Sequence, residues 1–341
     1  MEVGYGLVSC QLAPGDHRRW GDLYREALDL AALADRAGLS SIWTTEHHLV
    51  DDGYMPSLLV TAAAMAARTE RIRIGTGVLL APLHHPIRLA EDAATVSLLS
   101  GGRLILGLGL GWSQVEFDTF GADMTRRGRS MSEILSILPR AWSGTPISWD
   151  GPLHPVGPVA VRPTPEHPIP IWIGGGADAA VRRAARLADG FLSNASPERF
   201  AAQVALASEE RERAGVDRPF TWAFYGIVHL CEDAARGWDE IADAVRLATW
   251  KYGDMEASAF RGRGPVPAPP PLDGEAEALI RQRVMVGTAE QVAARVAAVR
   301  EAAGVPLEFI ARSYLPGRPY PALAEQVHRI AEELAPLLAP L

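Results

Sequence analysis

The sequence contains a single lysine, Lys251, so arginine carries nearly all of its positive charge. We interpret this scarcity as a compositional bias toward alanine and arginine, not as a sign of function. The formal net charge is −8 at pH 7. An acidic chain of this kind has no general electrostatic attraction to nucleic acid or to an anionic membrane, so neither is an expected partner.

Cysteine is also scarce, since only Cys10 and Cys231 are present and no CxxC pattern occurs. This predicts two buried, reduced thiols instead of a disulfide framework. The sequence lacks any run of about 18 apolar residues, and its first residues lack a basic segment followed by an apolar one. We therefore expect a cytoplasmic protein without a membrane span.

Short apolar runs alternate with alanine-rich segments of helical periodicity along the whole chain, which predicts parallel strands joined by helices. The eight predicted strands are VGYGLVSC (3–10), SSIWTT (40–45), RIRIGTGVLL (71–80), RLILGLGLG (103–111), PIWIGGG (170–176), GFLSN (190–194), FTWAFYGIVHL (220–230) and LEFIARSY (307–314). Eight such units in 341 residues favour one α/β domain, residues 1–341, folded as a (β/α)₈ TIM barrel with insertions. An open doubly wound sheet is the alternative, but the glycine-rich turn that it requires after the first strand is missing.

Two segments interrupt the alternation. Residues 143–168 are rich in proline, glycine and tryptophan and predict an excursion or hairpin. Residues 250–278 include the run PVPAPPP and predict a long loop after the seventh strand, on the active-site side of the barrel. Such a loop is either a mobile lid or an insertion without a role.

Histidines cluster where barrel enzymes place their chemistry, at the carboxyl ends of strands. Glu46, His47 and His48 follow the second strand, and His84 and His85 follow the third. Adjacent strand residues point to opposite faces, so neighbouring histidines cannot both face the barrel mouth. This argues against a metal site and leaves one of His47 and His48 as a candidate acid–base residue, because imidazole titrates near neutral pH.

Glycines at strand ends form the second candidate feature. The strand PIPIWI runs through Gly174, Gly175 and Gly176 directly into a helix, an arrangement that suits a phosphate group. Gly77, in IGTGVLL, would let a flat ring lie against the backbone, and GLGLGW, which contains Gly109, supplies a further wall of small residues. Ordinary tight turns and close packing are the alternative explanations for these glycines.

Taken together, these stretches resemble the bacterial luciferase-like family of flavin-dependent monooxygenases and oxidoreductases. The resemblance covers most of the chain, and its most specific part is the long block from HPIRLAED to SGGR. Its other parts are IWTTEHH, RIRIGTGVLLAPLHHPIRLAEDAATVSLLSGGRLILGLGLGW, FDTFGADM, PIPIWIGGG with RRAARLADGF, and VGTAEQVAARV. The family fold is a (β/α)₈ barrel with insertions, in agreement with the alternation.

The resemblance implies roles for individual residues. His47 matches the acid–base residue beside the flavin, and Gly77 and Val78 match the segment that supports the isoalloxazine ring, often through a cis peptide bond that does not involve proline. Ser193 aligns near the flavin pocket. The segment that matches the phosphate-binding loop consists of Gly174, Gly175, Gly176 and Ala177.

The sequence also departs from luciferase. Gly109 and Leu110 stand where luciferase has a Cys–Arg pair, and Ala177 and Ala180 replace a serine and a threonine of the phosphate loop. A phosphate would therefore be held mainly by backbone N–H groups and by an arginine that the sequence does not identify. Light emission is not implied.

By this resemblance the chain is a flavin-dependent oxidoreductase. The expected activity is that of a two-component monooxygenase, which uses O₂ and reduced FMN from a partner reductase to oxidise a small organic substrate. The alternatives are a dehydrogenase that uses the deazaflavin coenzyme and a non-catalytic flavin-binding subunit. The family also implies a homodimer formed through the helices after strands two and three.

Overall fold

The computed structural model describes all residues, 1–341. The strands are β1 (Val3–Val8), β2 (Ser41–Thr44), β3 (Arg73–Thr76), β4 (Leu79–Leu80), β5 (Leu104–Gly109), β6 (Ile147–Trp149), β7 (Val156–Val159), β8 (Ile171–Gly174), β9 (Gly190–Ser193), β10 (Thr221–Leu230), β11 (Met285–Gly287) and β12 (Glu308–Arg312). The helices are α1 (Trp20–Arg36), α2 (Leu58–Ala66), α3 (Pro86–Ser100), α4 (Gln114–Phe120), α5 (Arg127–Ala141), α6 (Asp178–Leu187), α7 (Pro197–Ala214), α8 (Ala234–Ser258), α9 (Gly274–Arg283), α10 (Ala289–Ala303), α11 (Tyr320–Arg329) and α12 (Ala335–Leu338).

Eight parallel strands close into a barrel in the order β1, β2, β3, β5, β8, β9, β10 and β12, and β12 pairs again with β1. This confirms the predicted (β/α)₈ barrel. The sequence pattern missed one short strand and merged two others into one. The predicted third strand, 71–80, is divided into β3 and β4, and β11 extends the sheet beside the end of β10.

Large apolar side chains fill the barrel interior. Trp43 of β2 and Trp172 of β8 stack there with ring centroids 5.2 Å apart, and both are buried. A Cβ atom at Gly75 would lie 2.3 Å from the Trp43 ring, so this strand position accommodates only glycine. The interior also contains one apolar side chain from most other strands: Leu7, Ile105, Leu192, Ala223 and Ile310. The barrel below the mouth is therefore a packed core, as in other barrels of this type.

The outer layer of helices begins and ends where the sequence indicates. Helix α3 starts at Pro86, with the His85 side chain as its N-cap, and stops at Gly101, which adopts a left-handed conformation. Both cysteines are free and buried, as predicted. None of the helices combines the length and the apolar composition that a membrane span requires.

The two interruptions differ in kind. Residues 143–168 contain an antiparallel hairpin made of β6 and β7. The predicted loop at 250–278 is too long at both ends, because α8 continues to Ser258 and α9 begins at Gly274. Only residues 259–273 are not in α8 or α9, and the first residues of the predicted loop, 250–258, form the last part of α8.

Candidate active site

His47 lies at the barrel mouth just beyond β2, and only 4% of its surface is exposed. Its backbone N–H donates a hydrogen bond to the carbonyl oxygen of Met55, 3.3 Å away, which fixes the loop. Three aromatic rings meet the imidazole edge-on, with centroids 5.0 Å (Tyr54), 5.5 Å (Tyr252) and 5.8 Å (Trp112) from its own. Trp112, which belongs to GLGLGW, thus lines the mouth. His47 therefore lies in a largely apolar cage.

Glu116, the third residue of α4, orients His47. Its Oε1 lies 3.1 Å from His47 Nδ1 and also accepts a hydrogen bond from the backbone N–H of His48, at 2.8 Å. The carboxyl group is almost fully buried. A carboxylate at Nδ1 holds the proton on that nitrogen, so His47 Nε2 is left as the basic nitrogen. Nε2 makes no hydrogen bond within the protein.

Glu46 and His48 face a different direction from His47. Glu46 Oε2 accepts a hydrogen bond from the backbone N–H of Leu80, at 2.5 Å, and its Oε1 lies 3.3 Å from His48 Nε2. The His48 ring packs edge-on against Phe120, at 4.7 Å. Glu46 therefore contacts Leu80 and His48 and does not orient His47. No three His, Cys, Asp or Glu side chains are grouped in a way that would hold a metal ion.

An ion-pair cluster fastens α8 over this site. Lys251, which is 1% exposed, contacts Asp51 and lies 3.3 Å from Asp254 and 3.7 Å from Asp52. Arg261 bonds to Asp51 at 2.9 Å and also to Asp254. The aspartates at 51 and 52 directly follow the histidine loop, so this cluster ties α8 to the loop that carries His47. We call these five residues the Lys251 cluster.

The same helix also holds α4 in place. Glu256 of α8 accepts hydrogen bonds from the backbone N–H groups of Gln114, at 2.7 Å, and Val115, at 3.3 Å. These are N–H groups that the first turn of a helix leaves without internal partners. Because α4 carries Glu116, and Tyr252 of α8 covers His47, α8 positions two of the groups around the imidazole.

The glycine segment after β8 leaves a row of backbone donors free. None of the N–H groups of residues 175–179 donates a hydrogen bond within the protein. A Cβ atom at Gly176 would meet nothing within 4 Å, so the space beside this loop is open. Arg199 of α7 contacts the loop by donating to the Gly176 carbonyl at 2.9 Å and to Asp178 at 2.6 Å. Free N–H groups at the start of α6, beside an arginine, suit a phosphate.

Val78 is wedged between two of the predicted glycines. A Cβ atom at Gly109 would lie 2.3 Å from Val78 Cγ2, and one at Gly174 would lie 2.7 Å from Val78 Cγ1. The Gly77–Val78 peptide bond is cis. The structure thus brings three separate stretches, 77–78, 109 and 174, into direct contact at the mouth.

The hydroxyl group of Ser193 makes its hydrogen bonds within the protein. It donates to Gln203 Oε1 at 2.7 Å and accepts from the backbone N–H of Ala195 at 3.2 Å, and the residue is buried. Its side chain therefore shapes the loop after β9, and we do not include it among the residues that would hold a cofactor.

Comparison with protein families shows which family the chain belongs to. Residues 1–306 match the family model described as luciferase-like monooxygenase. The chain belongs to the luciferase-like monooxygenase family. This confirms the resemblance seen in the sequence and, because the named members are dehydrogenases and monooxygenases, the prediction of an enzyme.

Individual luciferase-like relatives carry two kinds of name. An F420-dependent glucose-6-phosphate dehydrogenase from Microbacterium testaceum is 31% identical over 218 residues, 62% of each chain. The oxygenase component of a flavin-dependent trigonelline monooxygenase from Acinetobacter baylyi is 32% identical over 164 residues, 46% of this chain and 45% of that protein. The chain thus matches about half to three-fifths of the length of these relatives.

A solved luciferase-like structure extends the similarity to the whole chain. Monooxygenase RslO1 from Streptomyces bottropensis superposes with a TM-score of 0.84 at 25% identity, over 98% of this chain and 99% of that one. The barrel and its insertions are therefore shared across the full length.

Proposed function

We propose that the protein is a flavin-dependent oxidoreductase, and specifically the oxygenase of a two-component monooxygenase that uses reduced FMN and O₂. The observation that carries the proposal is that one barrel mouth holds both a phosphate-type loop, residues 174–177, and a buried imidazole with a free Nε2. The names of the trigonelline monooxygenase component and of monooxygenase RslO1 support it.

The residues at the mouth are suited to a phosphorylated flavin. The free N–H groups of residues 175–177 and the Arg199 side chain would hold the phosphate, so Arg199 is our candidate for the arginine that the sequence left open. The wall formed by Gly77, Val78 and Gly109 would support the ring. When bound, reduced flavin supplies the electrons that activate O₂ for transfer of one oxygen atom to the substrate.

The chain itself supplies proton transfer and a dry environment. Glu116 holds His47 Nδ1 protonated, so Nε2 can take a proton from a reacting group and later return it. The rings of Tyr54, Trp112 and Tyr252 exclude water from the imidazole. Burial raises the pKa of Tyr54 well above its ordinary value, so its hydroxyl stays protonated at neutral pH.

A dehydrogenase that uses the deazaflavin coenzyme F420 is the second candidate, because several relatives are named F420-dependent glucose-6-phosphate dehydrogenase. In that case the coenzyme would transfer hydride, and O₂ would not be consumed. A non-catalytic flavin-binding subunit is disfavoured by the buried His47–Glu116 pair, since two interacting polar groups of this kind have no evident purpose in a passive binder.

Titration of the purified protein with FMN and with the deazaflavin coenzyme, followed by O₂ uptake with photoreduced FMN, tests the proposal. We expect FMN to bind with a stoichiometry of one per chain and the protein to alter the rate at which reduced FMN reacts with O₂. Binding of deazaflavin alone, with no effect on O₂ uptake, would replace the first candidate by the second.

The packing around Val78 gives a prediction for cofactor affinity. Gly109→Ala should weaken FMN binding about tenfold, because its methyl group would displace the stiff Val78 side chain at a cost of about 1–3 kcal/mol. The double variant Gly109→Ala/Val78→Ala removes the collision and should recover most of the affinity. Gly157→Ala, in β7 of the hairpin and also without a neighbour within 4 Å, is the matched control, and fluorescence titration measures all three. Equal affinities for Gly109→Ala and Gly157→Ala would contradict the proposed ring site.

We also propose a partner reductase and a homodimer. A flavin reductase is required if reduced FMN is the co-substrate, as the term oxygenase component implies for the trigonelline enzyme. Val60 of α2 and Leu99 of α3 are 73% and 59% exposed, which provides an apolar surface on the two helices that the family resemblance indicated. Sedimentation velocity measures the oligomeric state directly.

A further inference from the structure

A cavity of about 700 Å³ opens between the end of β9, the middle of β10 and the helices α8 and α9. Its lining includes four arginines, namely Arg199, Arg283, Arg295 and Arg312, and no aspartate or glutamate. The chain as a whole carries a net charge of −8, so this local excess of positive charge is opposite to that of the molecule. We call this space the arginine cavity. Its size is that of a site for a small organic molecule.

Two of the four arginines are already occupied. Arg199 is paired with Asp178, and Arg295 donates to the carbonyl oxygens of Val284 and Gln282, both at 2.6 Å. Arg283 and Arg312 make no hydrogen bond and no ion pair through their guanidinium groups. The cavity therefore contains two cations without a counter-charge.

Arg312 is the better placed of the two free cations. It is the last residue of β12, two positions after Ile310, whose side chain lies in the barrel interior. Strand alternation therefore directs Arg312 to the same side, one layer above Ile310 at the mouth. Its Nε is buried without a partner. A buried N–H donor of a charged group that has no hydrogen-bond partner raises the free energy of the folded protein. A ligand that accepts a hydrogen bond from it therefore binds more tightly.

The cavity adjoins the His47 cage. Burial raises the pKa of both Tyr54 and Tyr225, and the nearby Arg312 cation opposes that effect at each. Tyr54 packs against His47, and Tyr225 lines the arginine cavity with Phe224. A group held by Arg312 thus lies beside Tyr225 and close to Tyr54, which packs against the imidazole.

We propose that Arg312, with Arg283 at the cavity rim, binds an anionic oxygen group of the substrate, a carboxylate or a phosphate carried on a partly apolar body. A guanidinium group without a carboxylate partner can bind such a group through two parallel N–H donors. The cavity borders the 174–177 loop through Arg199, but neither Arg312 nor Arg283 bonds to that loop. Calling the ligand of this subsite the substrate rests on the proposed function, but the binding itself does not require a flavin.

Benzoate and its neutral analogue benzamide test the subsite in the protein without added flavin, by calorimetric titration. We expect benzoate to bind wild type at least tenfold more tightly than benzamide, and Arg312→Met to remove that preference while leaving benzamide binding unchanged. Arg312→Lys should retain part of the preference. Arg88→Met is the control for net charge, since Arg88 is an exposed residue of α3 paired with Asp92. Thermal unfolding of each variant confirms that it is folded.

A parallel titration with FMN and riboflavin separates the substrate from the cofactor phosphate. We expect Arg312→Met to leave the ratio of FMN to riboflavin affinity unchanged. If that ratio falls by the same factor as benzoate binding, the subsite belongs to the cofactor and the proposal is overturned. Equal benzoate binding by wild type and Arg312→Met also overturns it. If neither FMN nor deazaflavin binds the wild type, the proposed function fails, whereas Arg312-dependent benzoate binding still supports an anion site.

Discussion

Replacing His47 by alanine should lower turnover by about 10²–10⁴-fold while FMN affinity stays within about threefold of wild type. The imidazole has the only free basic nitrogen in the aromatic cage, and its loss removes proton transfer without touching the 174–177 loop. Single-turnover oxidation of enzyme-bound reduced FMN, with product analysis, measures the chemical step apart from binding.

Two further variants separate the role of His47 from the roles of the residues beside it. Glu116→Gln keeps the shape of the side chain but removes the charge that orients His47, so turnover should fall by less than in His47→Ala and its pH profile should shift. His48→Ala is the control beside it, since His48 faces Phe120 and Glu46 instead of the cage. Unchanged turnover in His47→Ala would remove this residue from the mechanism.

Replacing Lys251 by methionine should destabilise the protein by about 3–5 kcal/mol, since it leaves three closely spaced aspartates with only Arg261 as a counter-charge. The end of α8 should detach from the histidine loop. Tyr252 would then no longer cover His47, so turnover should fall together with stability. Urea unfolding measures the free energy, and chymotrypsin cleavage after Phe260, which is 80% exposed, reports the detachment of α8.

The matched control is Arg68→Met, which breaks a half-exposed ion pair with Asp29 and should cost less than about 1 kcal/mol. Burial already raises the pKa of Asp52, although the Lys251 cation opposes this. Without that cation the carboxyl groups of the cluster should accept protons more readily, so the instability of Lys251→Met should be smaller at pH 5 than at pH 8. A Lys251→Met protein as stable as the Arg68→Met control would contradict the structural role of the cluster.

The barrel itself could be predicted because its signals are local. Apolar runs of strand length, helix periodicity and the stops at glycine recur within short windows, and they placed all eight barrel strands. The errors occurred where the local signal is mixed. Residues 250–258 precede a proline-rich run, and the sequence pattern places both in one loop. These residues instead continue α8, because Lys251 pairs with Asp51 and Tyr252 packs against His47, both in the loop after β2.

The candidate site was predicted only in part, for the same reason. His47 and the 174–177 loop occur at strand ends and have a recognisable pattern, so the sequence singled them out. Glu116 is 69 residues from His47 in the chain, and Arg312 comes from the last strand. Nothing in the local sequence around either residue distinguishes it from a solvated surface charge.

The sequence by itself determined the alternation of strands and helices, the family and the position of the histidine, because each depends on residues that are close together in the chain. The tertiary structure decided which side chains from distant parts of the chain come into contact. Closure of the barrel brings the ends of β2, β5, β10 and β12 to one rim, which places Glu116 on His47, α8 over both and Arg312 in a cavity without a carboxylate. Those contacts depend on strand register and barrel closure, which act between residues far apart in the chain.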